Sequence, residues 1–202
     1  MSGADRKLER VLAGFEAAVA AGFTPIKLNC VVIRGQNEGS VLALAERFRH
    51  TPHVVRFIEY MDVGTQNHWR GEDVITADEM LRAISARWPL EPLPASQGGE
   101  VARRYRYSDG GGEIGMIASV SEPFCGSCNR ARLSADGRFL TCLFAADGTH
   151  LRTLLRAGTS DVELADVMRR TWLARSDRYS EQRKSGAPTQ LRRRLEMYQI
   201  GG

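Results

Sequence analysis

Long apolar runs are missing from this chain of 202 residues. The stretches at residues 11–23 and 26–33 carry charges or are far too short to cross a bilayer, so no membrane partner is expected. The opening MSGADRKLER is polar with no apolar core, and no secretory signal is expected. Cysteine is scarce. Four thiols do not make a disulfide scaffold, and a reducing cytoplasm is the expected location, with those thiols free for metal or catalysis. Aromatic residues make up 7% and do not interleave with basic ones in the way that stacks bases, so nucleic acid is not an expected partner. No internal repeat is visible, and the composition excludes disorder, collagen and coiled coil.

What is present is a hydrophobic fraction of 43%, enough for a real core in one domain or one and a half. Residues 5–21 place Leu8, Val11, Leu12, Phe15, Ala18 and Val19 at helical spacing, with Gly22 positioned to end the helix. Residues 26–33 (IKLNCVVI) read as a buried strand, 41–48 as a helix and 53–61 (HVVRFIEYM) as a second strand. Thr76 and Glu79 form a capping box that opens a further helix, reaching about Arg87. This alternation predicts right-handed βα units and a parallel sheet. Two parallel strands make a very small sheet. Either a small α+β domain completes it with later strands, or the chain is the downstream part of a larger βα barrel.

From residue 89 to 112 the chain reads as a Pro/Gly/Ser-rich connection and a turn (SDGGGE), with short β pieces at 101–107, 114–120, 131–134 and 138–143. Asp136-Gly137 signals a hairpin, and residues 151–155 and 162–175 read as helical. On the barrel alternative the organisation is an incomplete barrel portion at 1–90 and a cysteine-bearing region at 91–202.

Cys125, Cys128 and Cys142 stand as C-x2-C-x13-C. The pair lies in a Gly/Ser turn where two thiolates can converge, and the hairpin returns the third ligand beside them. Such a knuckle suits tetrahedral zinc or an iron–sulfur cluster. A structural zinc site wants a fourth ligand. His150 lies eight residues past Cys142, outside usual spacing, and Cys30 alternates with Ile26, Leu28 and Val32 as a small buried hydrophobe. Three cysteines without a fourth point to an open coordination position. Arg130 and Arg132 flank Ala131 and share one face of an extended segment, either as an anion clamp or as an exposed charged strand face. Lys27 and Asn29 share the strand face opposite Leu28 and Cys30, toward a barrel lumen or toward solvent. Net charge is +4, with Arg183, Lys184, Arg192, Arg193 and Arg194 concentrated late, as a solvated face or an attraction for a polyanion.

The run C-x2-C-N-R-x-R-L-x-x-D-G with a distal C-L-F, together with IKLNCVVIRGQN, RFIEYMDVG and a terminal Gly-Gly, resembles the GTP 3′,8-cyclase family (molybdenum cofactor biosynthesis protein A), which are radical SAM enzymes. The resemblance covers nearly the whole chain. It implies a partial (βα) TIM-like barrel with an N-terminal SAM-binding 4Fe-4S cluster, followed by an α+β region with a second 4Fe-4S cluster that binds GTP. Cys125, Cys128 and Cys142 match the ligands of the second cluster. Arg130, Ala131, Arg132 and Lys27 match GTP contacts, and Met61 matches an S-adenosyl-L-methionine contact that would otherwise read as an ordinary core methionine. Gly201 and Gly202 match a tail that reaches the active site, although by themselves they look like a frayed end. Arg56 and Glu59 lie in the same matching run, at a lumen position. In the complete enzyme a 5′-deoxyadenosyl radical takes the ribose 3′ hydrogen and the carbon radical attacks guanine C8, giving (8S)-3′,8-cyclo-7,8-dihydroguanosine 5′-triphosphate. A homodimer stays open as an assembly.

One departure is large. The family's N-terminal C-x3-C-x2-C motif has no counterpart among these four cysteines. The chain is therefore expected to hold the GTP side of the site and not to catalyse alone. A zinc-stabilised basic binding module without catalysis is the alternative.

Overall fold

The computed structural model describes residues 5–64, 67–184 and 195–200. An opening helix, α1 (Asp5–Ala20), ends at Gly22, whose φ of +86° is the left-handed conformation expected of a helix terminator. Then come β1 (Lys27–Val32), α2 (Ser40–Phe48), β2 (Val54–Glu59) and α3 (Ala77–Ser85). Thr76 caps α3 with the full reciprocal box: its side chain accepts from the Glu79 amide while the Glu79 carboxylate accepts from the Thr76 amide.

The main sheet has five strands in the order β1-β2-β5-β4-β3, with β3 at Leu90–Leu93, β4 at Arg103–Tyr107 and β5 at Glu113–Ile117. β1, β2 and β5 are parallel, while β4 and β3 extend the sheet antiparallel. The chain is thus α/β, as expected from the alternation of elements. The segment read as a Pro-rich connection departs from expectation, because its first residues form edge strand β3. Pro92 is tolerated there because an edge strand has a side with no neighbour to bond. The sheet therefore takes strands from both sides of residue 90.

Period-two alternation sorts the sheet into two faces. Val32, Val55, Phe57, Ile114 and Met116 are buried beneath α2 and α3 with Val41, Phe48, Met80 and Ile84. Each such side chain contributes about 1.5–3 kcal/mol on burial. Cys30 packs against this core, as its alternation predicted. In α1 only part of the apolar stripe is used. Phe15 packs edge-on to Phe48 and His53 at 5.4 and 5.0 Å, while Leu8, Val11 and Val19 are exposed.

Glu59 corrects an expectation. It belongs to the helix-covered face, not to the open one, and is fully buried. Its carboxylate accepts from the amides of Ala77, Val120 and Ser121 at 2.7, 2.7 and 2.8 Å and from the Ser121 hydroxyl. One buried anion thus fastens the positive end of α3 and the turn leaving β5 to the end of β2.

A second, three-stranded sheet carries β6 (Arg132–Leu133), β7 (Arg138–Leu140) and β8 (Thr149–His150) in that order. The β6–β7 turn is the hairpin that Asp136-Gly137 predicted. Gly137 has φ +81°, and a Cβ there would stand 2.5 Å from that of Arg152. Helices α4 (Leu151–Arg156), α5 (Asp161–Leu173) and α6 (Tyr179–Lys184) follow. No helix among the described residues is long and apolar enough to cross a membrane.

Among the carboxylates that the fold holds below their ordinary range, two are shifted furthest and contribute to its acid response. The Arg34 guanidinium and the Thr76 amide pull Glu79 down from 4.5 to about 2, and the Ser134 hydroxyl with Arg138 pulls Asp136 from 3.8 to about 2. Both folded values lie below the unfolded ones, so their stabilisation is complete above about pH 5 and is lost as pH falls toward 2. Thermal unfolding between pH 5 and 2 should show the transition falling with pH, and less steeply in Arg34→Met. Equal slopes would remove Glu79 as a source.

Candidate functional site

The sheet face away from α2 and α3 carries Lys27 and Asn29 on β1, Arg56 and Ile58 on β2, Glu113, Gly115 and Ile117 on β5, and Arg104 on β4. Register places Asn29 beside Arg56, and the Arg56 Nε donates to the side-chain Oδ1 of Asn29 at 2.8 Å. Two adjoining chambers lie on this face. The first, about 670 Å³, is lined by Lys27, Arg56, Arg104, Glu100, Glu113, Asn129 and Arg130. The second, about 340 Å³, is lined by Cys125, Cys128, Cys142, Arg130, Arg132, Arg175, Met61, Ser119 and Phe144, among others. Arg56 and Arg130 border both.

The three cysteines reach the second chamber from a 3₁₀ turn (Cys125–Ser127), the residue after it, and the segment following β7. Burial pushes the Cys128 thiol up, but the Arg130 amide and guanidinium bond to it, and with the Arg175 charge they bring it below its ordinary value. Burial pushes Cys142 up to about 11 despite an N–H donated by Phe144 at 3.4 Å. Arg132 is held below its ordinary value by burial and by the neighbouring Arg130 charge, while Cys142 and Cys128 act the other way. Among the described residues Lys27, Arg130 and Arg132 form no ion pair with a carboxylate. By contrast Arg104 is tied to Glu113 at 2.9 Å.

Of the residues singled out from sequence, Cys125, Cys128, Cys142, Arg130, Arg132 and Met61 share one chamber, and Lys27 lies in the adjoining one. Ala131 is exposed and lines neither. His150, on β8, pairs with Arg138 on β7, is 56% exposed and lines neither chamber. Gly201, Gly202, Arg192, Arg193 and Arg194 lie outside the described residues, and of Lys184 only its helical backbone is described. Arg183 is corrected: it is not free basic surface but is buried against Asp62, with Trp69, Phe144 and Tyr179 rings around its guanidinium. Among the described residues no group of three or more His, Cys, Asp or Glu converges as a single metal ion requires.

Sequence reasoning missed Ser119 and Arg175. Ser119 is 4% exposed and its hydroxyl finds no partner among the described residues. Its place just past the end of β5, like that of Met61 past β2, is where parallel sheets collect ligands, and that signal was readable. Arg175 donates to the Cys128 carbonyl from 47 residues away, which no local pattern announces.

The fold and the chambers describe an α/β protein with a thiol-lined, basic cleft on the open face of its sheet. The sequence profile of the Molybdenum Cofactor Synthesis C family matches residues 53–181, and the chain belongs to that family. It is also similar to proteins named GTP 3′,8-cyclase. That of Xanthomonas campestris pv. campestris strain B100 is 52% identical over 202 residues, covering 100% of this chain and 58% of the relative. That of Acidothermus cellulolyticus is 52% identical over 183 residues, covering 89% and 51%. A Synechococcus protein (strain CC9605) is 48% identical over 202 residues, covering 98% and 56%. The chain thus spans a little over half the length of these relatives.

Proposed function

We propose that this chain is the nucleotide-holding C-terminal part of a GTP 3′,8-cyclase, acting in molybdenum cofactor biosynthesis. The observation that carries the reading is one cavity lined by three thiols and by four guanidinium groups (Arg56, Arg130, Arg132 and Arg175) that form no ion pair with a carboxylate among the described residues, adjoining a second basic chamber. Cys125, Cys128 and Cys142 are the residues that would hold a 4Fe-4S cluster. The donor set fits: three thiols border a single cavity, two of them accept N–H bonds, and arginines supply countercharge to an anionic cluster. With one iron left without a protein ligand, the bound cluster would offer a coordination position to the substrate.

The protein's own groups do the rest. Across both chambers six cations face three carboxylates, a balance that suits a triphosphate. Arg130 and Arg132 orient the nucleotide beside the thiols, while Lys27 and Arg56 neutralise phosphate in the outer chamber. Ser119 supplies an unpaired hydroxyl to the ligand, and Ala131 places the two arginines on one face. Met61 stands where the resemblance puts S-adenosyl-L-methionine, and Gly201 and Gly202 remain the proposed tail. The α/β sheet, open on one face, is proposed as part of a (βα) barrel, with residues 1–90 chiefly barrel and 91–202 chiefly cluster and GTP region. A second 4Fe-4S cluster, and with it radical chemistry, would come from outside this chain, which alone would bind and not catalyse.

A zinc-stabilised module is the competing reading. Tetrahedral zinc would draw the sulfurs to about 3.8 Å of each other, from Zn–S bonds of about 2.3 Å. Anaerobic reconstitution of the full chain with iron, sulfide and zinc decides between them. About four irons per chain are expected, falling to near zero in Cys125→Ala. Stoichiometric zinc with no iron uptake would overturn the cluster.

A further inference from the structure

Residues 175–183 contribute no cysteine, yet they touch all three cysteine-bearing pieces. Arg175 donates to the Cys128 carbonyl. Asp177 accepts from the hydroxyl of Thr141, the residue before Cys142. Tyr179 stacks on Phe144 at 4.5 Å, and the Phe144 amide is the one bonded to the Cys142 sulfur. Glu181 accepts from the Gly126 amide at 3.2 Å, inside the turn that begins with Cys125.

The same segment is anchored to the main sheet. Tyr179 and Arg183, four apart on one face of α6, both donate to Asp62 beyond the end of β2. Arg183 also donates to the Ser119 carbonyl beyond β5 at 3.1 Å. Asp62 is 6% exposed, so this pair is desolvated and geometrically demanding. Glu181 faces the other way, toward the cysteine turn.

We propose that residues 175–183 are a positioning strap: they set the spacing of the three thiols and hold them at a fixed place over the open end of the sheet. The inference rests on the cysteine chamber being the functional site, but the strap itself can be tested without metal. The three cysteine segments are short and irregular, held by few bonds of their own, so their geometry depends on an external brace. The Asp62–Arg183 pair makes that brace rigid with respect to Met61 and Ser119, so a ligand spanning thiols and strand ends meets a preset distance.

The test is hydrogen–deuterium exchange on the metal-free full chain, followed peptide by peptide. Glu181→Ala should speed exchange at residues 124–129 by about fivefold, the effect of losing one ordinary hydrogen bond on a local opening. Glu181→Gln, which keeps an accepting oxygen, should restore the original rate. Thr141→Val should act at residues 141–145. The paired change Asp62→Asn/Arg183→Met removes the anchor without stranding a buried charge and should loosen both segments together. Strands at residues 27–32 and 54–59 should be unaffected in every variant. Unchanged exchange at both cysteine segments in the paired variant overturns the strap, and so does acceleration spread equally through the sheet. In the reconstituted chain the same variants should lose iron to a chelator faster and broaden the resonance of the reduced cluster. Failure of the unaltered chain to take up iron counts against the cluster alone, since the exchange result stands on the metal-free protein.

Discussion

Glu59→Gln should lower the unfolding free energy by about 3–4 kcal/mol, among the largest losses a single side chain can cause without removing volume. The carboxylate is wholly buried and every bond it makes is accepted from a donor: three backbone amides and one hydroxyl. Glutamine keeps the shape but turns one accepting oxygen into an NH₂ group facing those donors, and it removes the charge that strengthens the remaining bonds. The effect reaches the site, because the anchored residues 120 and 121 lead from β5 to the cysteine turn. Urea unfolding should show the midpoint shift with an unchanged slope. A loss under about 1 kcal/mol would mean the donors find other partners, and Glu59 would no longer count as the joint between the sheet and the chamber.

The second large effect concerns GTP. Arg132→Ala should weaken GTP binding to the reconstituted chain by about 30- to 100-fold, equivalent to about 2–3 kcal/mol for a charge-assisted contact in a half-buried cavity. Arg132 sits in the thiol chamber without a carboxylate partner, and Arg130 repels it, so an arriving anion relieves an existing electrostatic penalty. Lys27→Ala should cost about tenfold. Its group lies in the outer chamber, so its loss should be felt with GTP and vanish with guanosine. Isothermal titration at two salt concentrations reads both, and the Lys27 contribution should fade more steeply with salt. GTP affinity within about twofold of the unaltered chain in Arg132→Ala would overturn the arginine's role.

That the three thiols would lie together was legible because the signals for it are local. C-x2-C in a tight turn and Asp-Gly at a hairpin act over a few residues, and the structure brings Cys125, Cys128 and Cys142 to one cavity. Alternation along β1 likewise separated Lys27 and Asn29 from Cys30, since side chains on a strand have no choice but to change sides. Glu59 and Arg183 were misjudged for one shared reason. Each is an ordinary charged residue by composition, and its partners stand far away along the chain: up to 62 residues for Glu59 and 121 for Arg183. Strand β3 was missed because proline argues against a strand except at an edge, and only the assembled sheet shows which strands are edges.

By itself, then, the sequence determined the α/β alternation, the capping box at Thr76, the hairpin glycine and the identity of the thiols, all of which follow from backbone stereochemistry and short-range periodicity. Only the tertiary structure decided which face of the sheet lies open, that two chambers meet at Arg56 and Arg130, and that residues 175–183 contact the cysteine-bearing segments. Those outcomes depend on where desolvated charges find partners across the fold, and the energy of such pairing is set by three-dimensional distance and burial, which no local spacing encodes.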